Sequence, residues 1–532
     1  MTITTPSMAQ RTGQSGGRDR AFDRLLLLIV FVGGTSSIAI ELSASRLLGP
    51  YFGTSTFIWA NLIGLTLLYL SIGYFVGGKV ADRWPRATLL FVITTIAGFT
   101  TGLIPLLARP ILEQSLTAFA HLAVGAFYGS LVGVILLFAV PVTLLGIVSP
   151  FAIRLRLHRV DAAGNTAGSL YALSTVGSIL GSFLPVLVLE PAIGTYRTFY
   201  TFALLLLLTS ILGLGLLKAR WLMLGAVLLA LVIIGITVFG TRGMVRPPDF
   251  GELVYETESE YNYIQVVKDR GAYLLMLNDG HAIHSIYDPN DTITGGPWDY
   301  FTVGPFFNHD QKSSDVHSVA LIGLAAGTMA KELTLAYGPI PIDGVEIDPK
   351  IVDVGRKYFD MTEPNLNVIV QDGRYFLSTT KKRYDIVGID AYRQPYIPFH
   401  LTTQEFFDQV KSHLTPDGVV VVNAGRTETD YRLVDVMAST MKSVFPNVYL
   451  IDVDRYTNTI VVGTRQPTHI QSFRENILRQ NPGLIRDVGE ISLTSGNIRE
   501  WTGTDPKLVF TDDHAPVERV VDEMIISGAR GQ

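Results

Sequence analysis

Residues 318–348 read SVALIGLAAGTMAKELTLAYGPIPIDGVEID. The run Ser318–Leu324 (SVALIGL) reads as a buried strand. It runs into the small-residue turn Ala325-Ala326-Gly327-Thr328, and a helical stretch, MAKELTLAY, follows. A second apolar stretch then ends at Glu346 and Asp348. Strand, small-residue turn, helix and strand in that order form the repeating unit of a parallel α/β sheet. A turn of small residues lets backbone amides approach a ligand at the carboxyl edge of such a sheet.

The pattern continues downstream. Val368–Gln371 leads into Asp372, Gly373 and Arg374, and Tyr384–Ile389 ends at Asp390. Four strand ends fall in register and three of them carry a carboxylate. An acid about 20 residues after the turn suits the two hydroxyls of a ribose, which is the place of Glu346. An acid at the next strand end can accept from an adenine amino group. Each acid taken singly also reads as a helix N-cap. Upstream, Tyr263–Lys268 and Tyr273–Leu277 alternate around Asp269-Arg270-Gly271 and predict a β-hairpin.

The front of the chain is different. Of 532 residues only 17% are charged, against about a quarter in soluble domains, and the deficit lies in residues 22–241. Seven apolar runs there, roughly 24–43, 55–78, 87–108, 122–146, 166–189, 197–217 and 220–240, are long enough to cross a bilayer. The sequence therefore predicts a polytopic α-helical membrane bundle of about seven spans. A small β-hairpin region and an α/β Rossmann-like domain follow it. The expected boundaries are a disordered N-terminus over 1–21, the membrane bundle over 22–241, a β region over 249–310 and the α/β domain over 311–532.

Cationic loops, with Lys79, Arg83, Arg86, Arg154, Arg156, Arg159, Lys218 and Arg220, alternate with loops poor in cations. The positive-inside rule puts them and the N-terminus in the cytoplasm. Seven spans then place the rear domain outside, whereas a cytosolic cofactor requires it inside. The expectation adopted is a multi-pass protein of the cell membrane with a cytoplasmic catalytic domain. Glu41, Arg46 and Glu190, at span ends, read either as snorkelling groups or as functional ones. The net charge of -5 argues against nucleic acid, and the absence of cysteine excludes disulfides and thiolate chemistry.

The glycine turn, the acid, Asp-Gly and Asp, without a GxGxxG, look like the sheet of S-adenosylmethionine-dependent transferases. Residues from about 255 to 425 more narrowly resemble the spermidine synthase family of aminopropyltransferases. The carrying residues are Glu258–Asn262, Asp279-Gly280, Val345–Asp348, Gln371–Gly373, Asp390, Thr402–Phe407 and Leu414–Gly418. The whole chain looks like the membrane-fused members of bacteria.

The resemblance implies decarboxylated S-adenosylmethionine, or S-adenosylmethionine itself, as cofactor. It implies Asp390 as the base that orients an acceptor amine and takes its proton. Asn262, Gly323, Gly327, Glu346, Asp348, Asp372 and Gly373 would hold the cofactor. Asp279, His284, Tyr300, Tyr392, Arg393, Asp512 and Asp513 would face the acceptor, an amine or an amphiphilic small molecule. Tyr261 and Tyr392 could wall the sulfonium.

The family's acidic glycine turn is here Gly323–Gly327 without an acid. Arg393 stands where a second Asp binds the diamine or the cofactor amine, and Tyr300 remains of Tyr-His-Glu without the Glu. Much of the negative field that attracts a diamine is thereby lost, and Arg393 suits a carboxylate or phosphate. His281 and His284 lack a third metal ligand and read as acceptor-pocket residues, so no metal is expected. The expected partners are the lipid bilayer and a homodimer mate. Two other readings stay open: a methyltransferase of a membrane substrate, and a non-catalytic module that binds a polyamine or cofactor.

Overall fold

The computed structural model describes residues 15–52, 56–119, 125–157, 163–240, 246–278, 280, 282–291, 293–392, 396–494, 496–503 and 505–529. Asp279, His281 and Arg393, singled out in the sequence, lie outside the described residues. The chain divides into two compact units, one ending at Arg246 and the other beginning at Pro247.

The first unit is helical: α1 (Ser15–Phe52), α2 (Thr56–Arg83), α3 (Ala87–Phe119), α4 (Gly125–Arg156), α5 (Ala163–Leu184), α6 (Glu190–Ile193), α7 (Thr195–Leu216) and α8 (Arg220–Gly235). A π-helical stretch, Pro185–Leu189, joins α5 to α6, and a second one, Ile236–Gly240, extends α8. Seven spans in this unit are long and apolar enough to cross a membrane, the last being Arg220–Phe239. Among the described residues, the stretch 110–153, which Pro residues interrupt in the sequence, adds no further span. Pro105 and Pro110 lie inside α3, and Pro141 and Pro150 inside α4. Residues 15–21, expected to lack structure, form the first turns of α1. Arg, Asp and Ala prolong a helix at little cost once its apolar run has nucleated it.

Small residues bring the helices close. A Cβ on Gly177 would come within 2.3 Å of the Phe31 carbonyl of α1, and one on Gly181 within 2.2 Å of the Thr35 carbonyl. Residues with a Cβ at these positions could not let α1 and α5 approach as closely. The Glu190 carboxylate is buried at the start of α6, where Ser43 donates to it at 2.8 Å and Arg46 stands 3.5 Å away.

The second unit opens with an antiparallel sheet in the order β1 (Glu252–Glu258), β2 (Tyr263–Asp269), β3 (Ala272–Leu277), β4 (Ile283–Tyr287). The predicted hairpin is its centre. Arg270 and Gly271 take φ of 48° and 100°, as a tight two-residue hairpin turn requires.

The main sheet follows: β5 (Val319–Ile322), β6 (Ile342–Glu346), β7 (Leu366–Val370), β8 (Tyr384–Ile389), β9 (Leu414–Gly425), β10 (Asn447–Asp452), β11 (Asn458–Thr464) and β12 (Ile498–Glu500). Its order is β12-β10-β11-β9-β8-β5-β6-β7. The five strands from β9 to β7 run parallel, and β11, β10 and β12 add antiparallel. The antiparallel edge is absent from the sequence reading. Its short strands carry the same apolar alternation as parallel ones, and only the pairing partner fixes their direction.

Helices α9 (Thr328–Tyr337), α10 (Pro349–Tyr358), α11 (Gly373–Thr379), α12 (Gln404–Ser412), α13 (Arg432–Lys442), α14 (Ile470–Leu478), α15 (Leu484–Leu493) and α16 (Val517–Ala529) complete the unit. Two clusters of buried apolar side chains pack against the main sheet, one containing Val387, Val420 and Phe407, the other Leu321, Val421 and Phe307. From β5 the chain builds β6 on one side and β8 on the other. The crevice where order reverses lies at the carboxyl ends of β5 and β8, the usual place for a ligand in such sheets.

Candidate active site

Gly323 closes β5 and decides how near the next strand end can come. Its φ is 90°, and a Cβ there would lie 2.6 Å from the Asp390 carbonyl oxygen. Only glycine combines that backbone with that approach. The Asp390 amide donates to the Ile322 carbonyl at 2.9 Å, so the two strand ends are pinned together. Ala325, the third residue of the turn, holds φ of 50°, and its amide donates to Glu346 Oε2 at 2.9 Å.

Glu346 is buried, and its other oxygen accepts from the Asp348 amide at 3.1 Å. Burial pushes its carboxyl up to about 7, against the backbone donors that favour the ionised form. Asp348 is fully buried and caps α10: its carboxylate accepts from the Lys350 amide (3.0 Å), Ser259 Oγ (2.5 Å) and Asn262 Nδ2 (2.9 Å). Asp372 caps α11 through the Tyr375 amide at 2.9 Å and meets His400 Nε2 at 3.2 Å.

These groups surround a cavity of about 300 Å³. Asn262, His284, Gly323, Glu346, Asp372, Gly373, Asp390 and Tyr392 line it, all of them expected from the sequence. Asp348 and Gly327 do not. Asp348 acts behind the wall by fixing Asn262, and Gly327 starts α9 with φ of 97°.

A second cavity of about 440 Å³ shares His284, Ala325, Asp390 and Tyr392 with the first. Asp390 therefore stands in the partition. Its Oδ1 accepts from Asn423 Nδ2 at 2.9 Å, and Trp298 supplies a further side-chain hydrogen bond. Asp390 keeps some surface open to the cavities, yet desolvation by the surrounding protein pushes its carboxyl up to about 6. The Tyr392 hydroxyl donates to the Asn423 carbonyl at 3.1 Å and accepts from the Gly425 amide at 2.7 Å. Burial, and Asp390 beside it, raise its pKa well above the usual phenol range.

Three residues expected at the acceptor lie elsewhere. Tyr300 is buried in the core, its hydroxyl accepting from the Asp454 amide at 3.4 Å. Asp512 takes both arms of Arg374 (2.7 and 2.6 Å) and Thr403 Oγ1 (2.7 Å), which ties the C-terminal tail to the start of α12. Asp513 is exposed and lines neither cavity.

The sequence reading missed Trp298, Asn423 and Arg426. Asn423 carried a usable signal, a lone polar residue at the end of the run VVVV (419–422). Trp298 and Arg426 carried none.

The spermine/spermidine synthase domain family matches residues 306–473. A polyamine aminopropyltransferase of Vibrio vulnificus is 30% identical over 231 residues, which cover 41% of this chain and 74% of that protein. The chain belongs to the polyamine aminopropyltransferase family. A probable polyamine aminopropyl transferase of Bifidobacterium longum is 34% identical over 298 residues, covering 52% of this chain and 65% of that protein. The chain thus spans slightly less than two thirds of that relative. Polyamine aminopropyltransferase 2 of Aquifex aeolicus is 23% identical over 514 residues, 91% of this chain and 97% of its own length. That last alignment includes most of the helical unit, so an aminopropyltransferase relative matches this chain over both of its units.

The donor set fits the nucleoside part of an aminopropyl donor. When ionised, Glu346 and Asp372 offer acceptor oxygens, which suit ribose hydroxyls and an adenine amino group. No Lys or Arg lines the smaller cavity among the described residues.

Proposed function

We propose that the second unit transfers an aminopropyl group from decarboxylated S-adenosylmethionine to an amine, and that the first unit holds it at a membrane. The observation that carries the reading is the place of Asp390, in the partition between a cavity lined by the carboxylates Glu346 and Asp372 and a second, larger cavity. The nucleoside occupies the first, with Glu346 on the ribose and Asp372 on the adenine.

The acceptor amine enters from the second cavity. Asp390, as carboxylate, accepts a hydrogen bond from the amine and orients its lone pair. The nitrogen forms a bond to the propyl carbon attached to sulfur. The carbon–sulfur bond breaks, its electron pair stays on sulfur, and methylthioadenosine leaves. The proton released from nitrogen passes to Asp390 and on to solvent. Tyr392 holds the partition rigid through β9.

Exposed apolar side chains support membrane embedding of the first unit. Phe75, Leu136, Phe183 and Leu228 are all more than half exposed, and water would not tolerate such a surface on seven adjacent helices. The second unit is placed in the cytoplasm, where the donor is made, although the loop charges oppose that side. A C-terminal reporter that fluoresces only in the cytoplasm tests the placement.

The reaction is tested with purified full-length protein, the decarboxylated donor and a panel of amines. Release of methylthioadenosine is expected. Release of S-adenosylhomocysteine from the intact donor instead would assign a methyltransferase.

A further inference from the structure

Behind the wall of the larger cavity two acids meet in the protein interior. Asp299 opens the 3-10 helix Asp299–Phe307, and Glu332 lies one helical turn past Thr328, the first residue of α9. They are 1% and 2% exposed. Asp299 Oδ1 accepts from the Thr294 hydroxyl at 2.6 Å and from the Thr294 amide at 3.2 Å, and Oδ2 accepts from the Gly295 amide at 2.8 Å. These bonds fold residues 294–299 into a turn.

Glu332 faces the Asp299 carboxylate, with the Thr294 hydroxyl beside it. Neither Glu332 oxygen receives an aligned donor among the described residues, and the Thr294 hydrogen is already given to Asp299. Two carboxyls buried in contact are not both ionised. Burial and the Asp299 charge raise the Glu332 carboxyl well above its ordinary range, so Glu332 carries the proton and is the donor. A carboxylate has about four sites for donors, and Glu332 fills the one that Thr294 and Gly295 leave on Asp299. Arg455 reaches the turn at Gly295, but the charged group that acts on Glu332 is Asp299.

The turn carries part of the cavity wall. Pro297 and Trp298 line the larger cavity, and the Trp298 side chain hydrogen-bonds Asp390. α9 grips the 3-10 helix at a second point, where the Tyr337 hydroxyl donates to the Thr302 carbonyl. At its start, Thr328 Oγ1 donates to the Ile286 carbonyl and accepts from the Ile286 amide, both at 2.9 Å. α9 therefore links the glycine turn of the first cavity to the Trp298 wall of the second. We propose that Glu332, by donating a hydrogen bond to Asp299, fixes the 294–299 turn and so aims the Trp298 indole at Asp390. Glu332 lines neither cavity, so it is a positioning residue. The proposal rests on the transferase reading for the role of Asp390.

Two variants separate the donated hydrogen bond from the space it fills. Glu332→Gln keeps a donor in place, and Glu332→Met keeps the volume and removes it. Full-length protein in detergent micelles is followed by hydrogen–deuterium exchange over residues 293–300, and by kcat/KM against pH with the decarboxylated donor and 1,4-diaminobutane. In the Met variant, exchange of the turn should rise about tenfold or more. Its acidic limb should move up by about half a pH unit or more, the scale of one lost hydrogen bond to Asp390. The Gln variant should match wild type in both. Trp298→Phe should shift the limb as far as Glu332→Met, and the two together should shift it no further. A Met variant with an opened turn and an unmoved limb would leave Glu332 a packing residue and overturn the proposal. A Gln variant that behaves like the Met variant would overturn it too, because a donor would then not hold the turn. If wild type releases no methylthioadenosine, the transferase reading falls, while the exchange contrast between Met and Gln still decides whether Glu332 holds the turn.

Discussion

Asn423 donates from Nδ2 to Oδ1 of Asp390 at 2.9 Å, while its own Oδ1 accepts from Asn458 Nδ2 at 2.9 Å. This relay ties the carboxylate at the end of β8 to β9 and β11, three neighbours in one sheet. Asn423 lowers the pKa of Asp390 against the burial that raises it. Asn423→Ala should therefore move the acidic limb of the kcat/KM profile to higher pH, and a rate series from pH 5 to 9 would show it. A limb that stays in place would reduce Asn423 to a packing residue.

Asp390→Asn should lower kcat by about 10²- to 10⁴-fold, the usual worth of a positioned general base. In the wild type, kcat/KM should fall as pH drops through about 6, the value to which burial pushes this carboxyl. Stability runs the other way. A carboxyl raised from 3.8 to about 6 contributes its full share below pH 3.8 and loses it as pH rises through 6. At pH 8 the Asn variant should thus be more stable, by on the order of 3 kcal/mol, and thermal unfolding at pH 5 and pH 8 measures the difference.

Glu346→Gln should weaken methylthioadenosine binding by about 10- to 100-fold, the worth of hydrogen bonds to a charged group. The wild-type carboxyl titrates at about 7, and only its ionised form accepts from both ribose hydroxyls. Nucleoside affinity should therefore decline as pH falls below 7, and titration calorimetry at pH 6 and pH 8 should show the decline in wild type and not in the Gln variant.

Gly323→Ala places a methyl 2.6 Å from the Asp390 carbonyl oxygen at φ of 90°. Backbone strain alone costs about 1–3 kcal/mol, and relief requires β5 and β8 to separate at the carboxylate. Activity should fall more steeply than thermal stability. A variant with wild-type kcat would show that the strand ends need not be pinned.

Asp512→Asn should loosen the C-terminal tail without touching the acceptor. Its pair with Arg374 is partly exposed, so the expected loss is no more than about 1 kcal/mol. The same carboxyl is held below its ordinary value by Arg374, so its contribution is present above pH 3.8 and lost on further acidification. KM for amines should stay within about twofold of wild type, and a large rise in KM would return Asp512 to the acceptor site.

The seven apolar helices, the central hairpin and the parallel strands with their carboxylates can be read from the amino-acid order alone. Each of these is written in a local period or in a residue type at a strand end. Glu346, Asp372 and Asp390 were legible because strands of a parallel sheet all finish at one edge, so acids at their ends must gather there. What each polar side chain does at that edge depends on the packing around it. Asp348 and Asp512 have the same chemistry as Asp390, but backbone amides, a serine and an arginine already occupy their oxygens. Asn423, Trp298, Arg426 and the apolar face of α16 come to the second cavity from separate elements of the chain. No local pattern records such a meeting, because it is fixed by how strands pair and helices pack across long sequence separations.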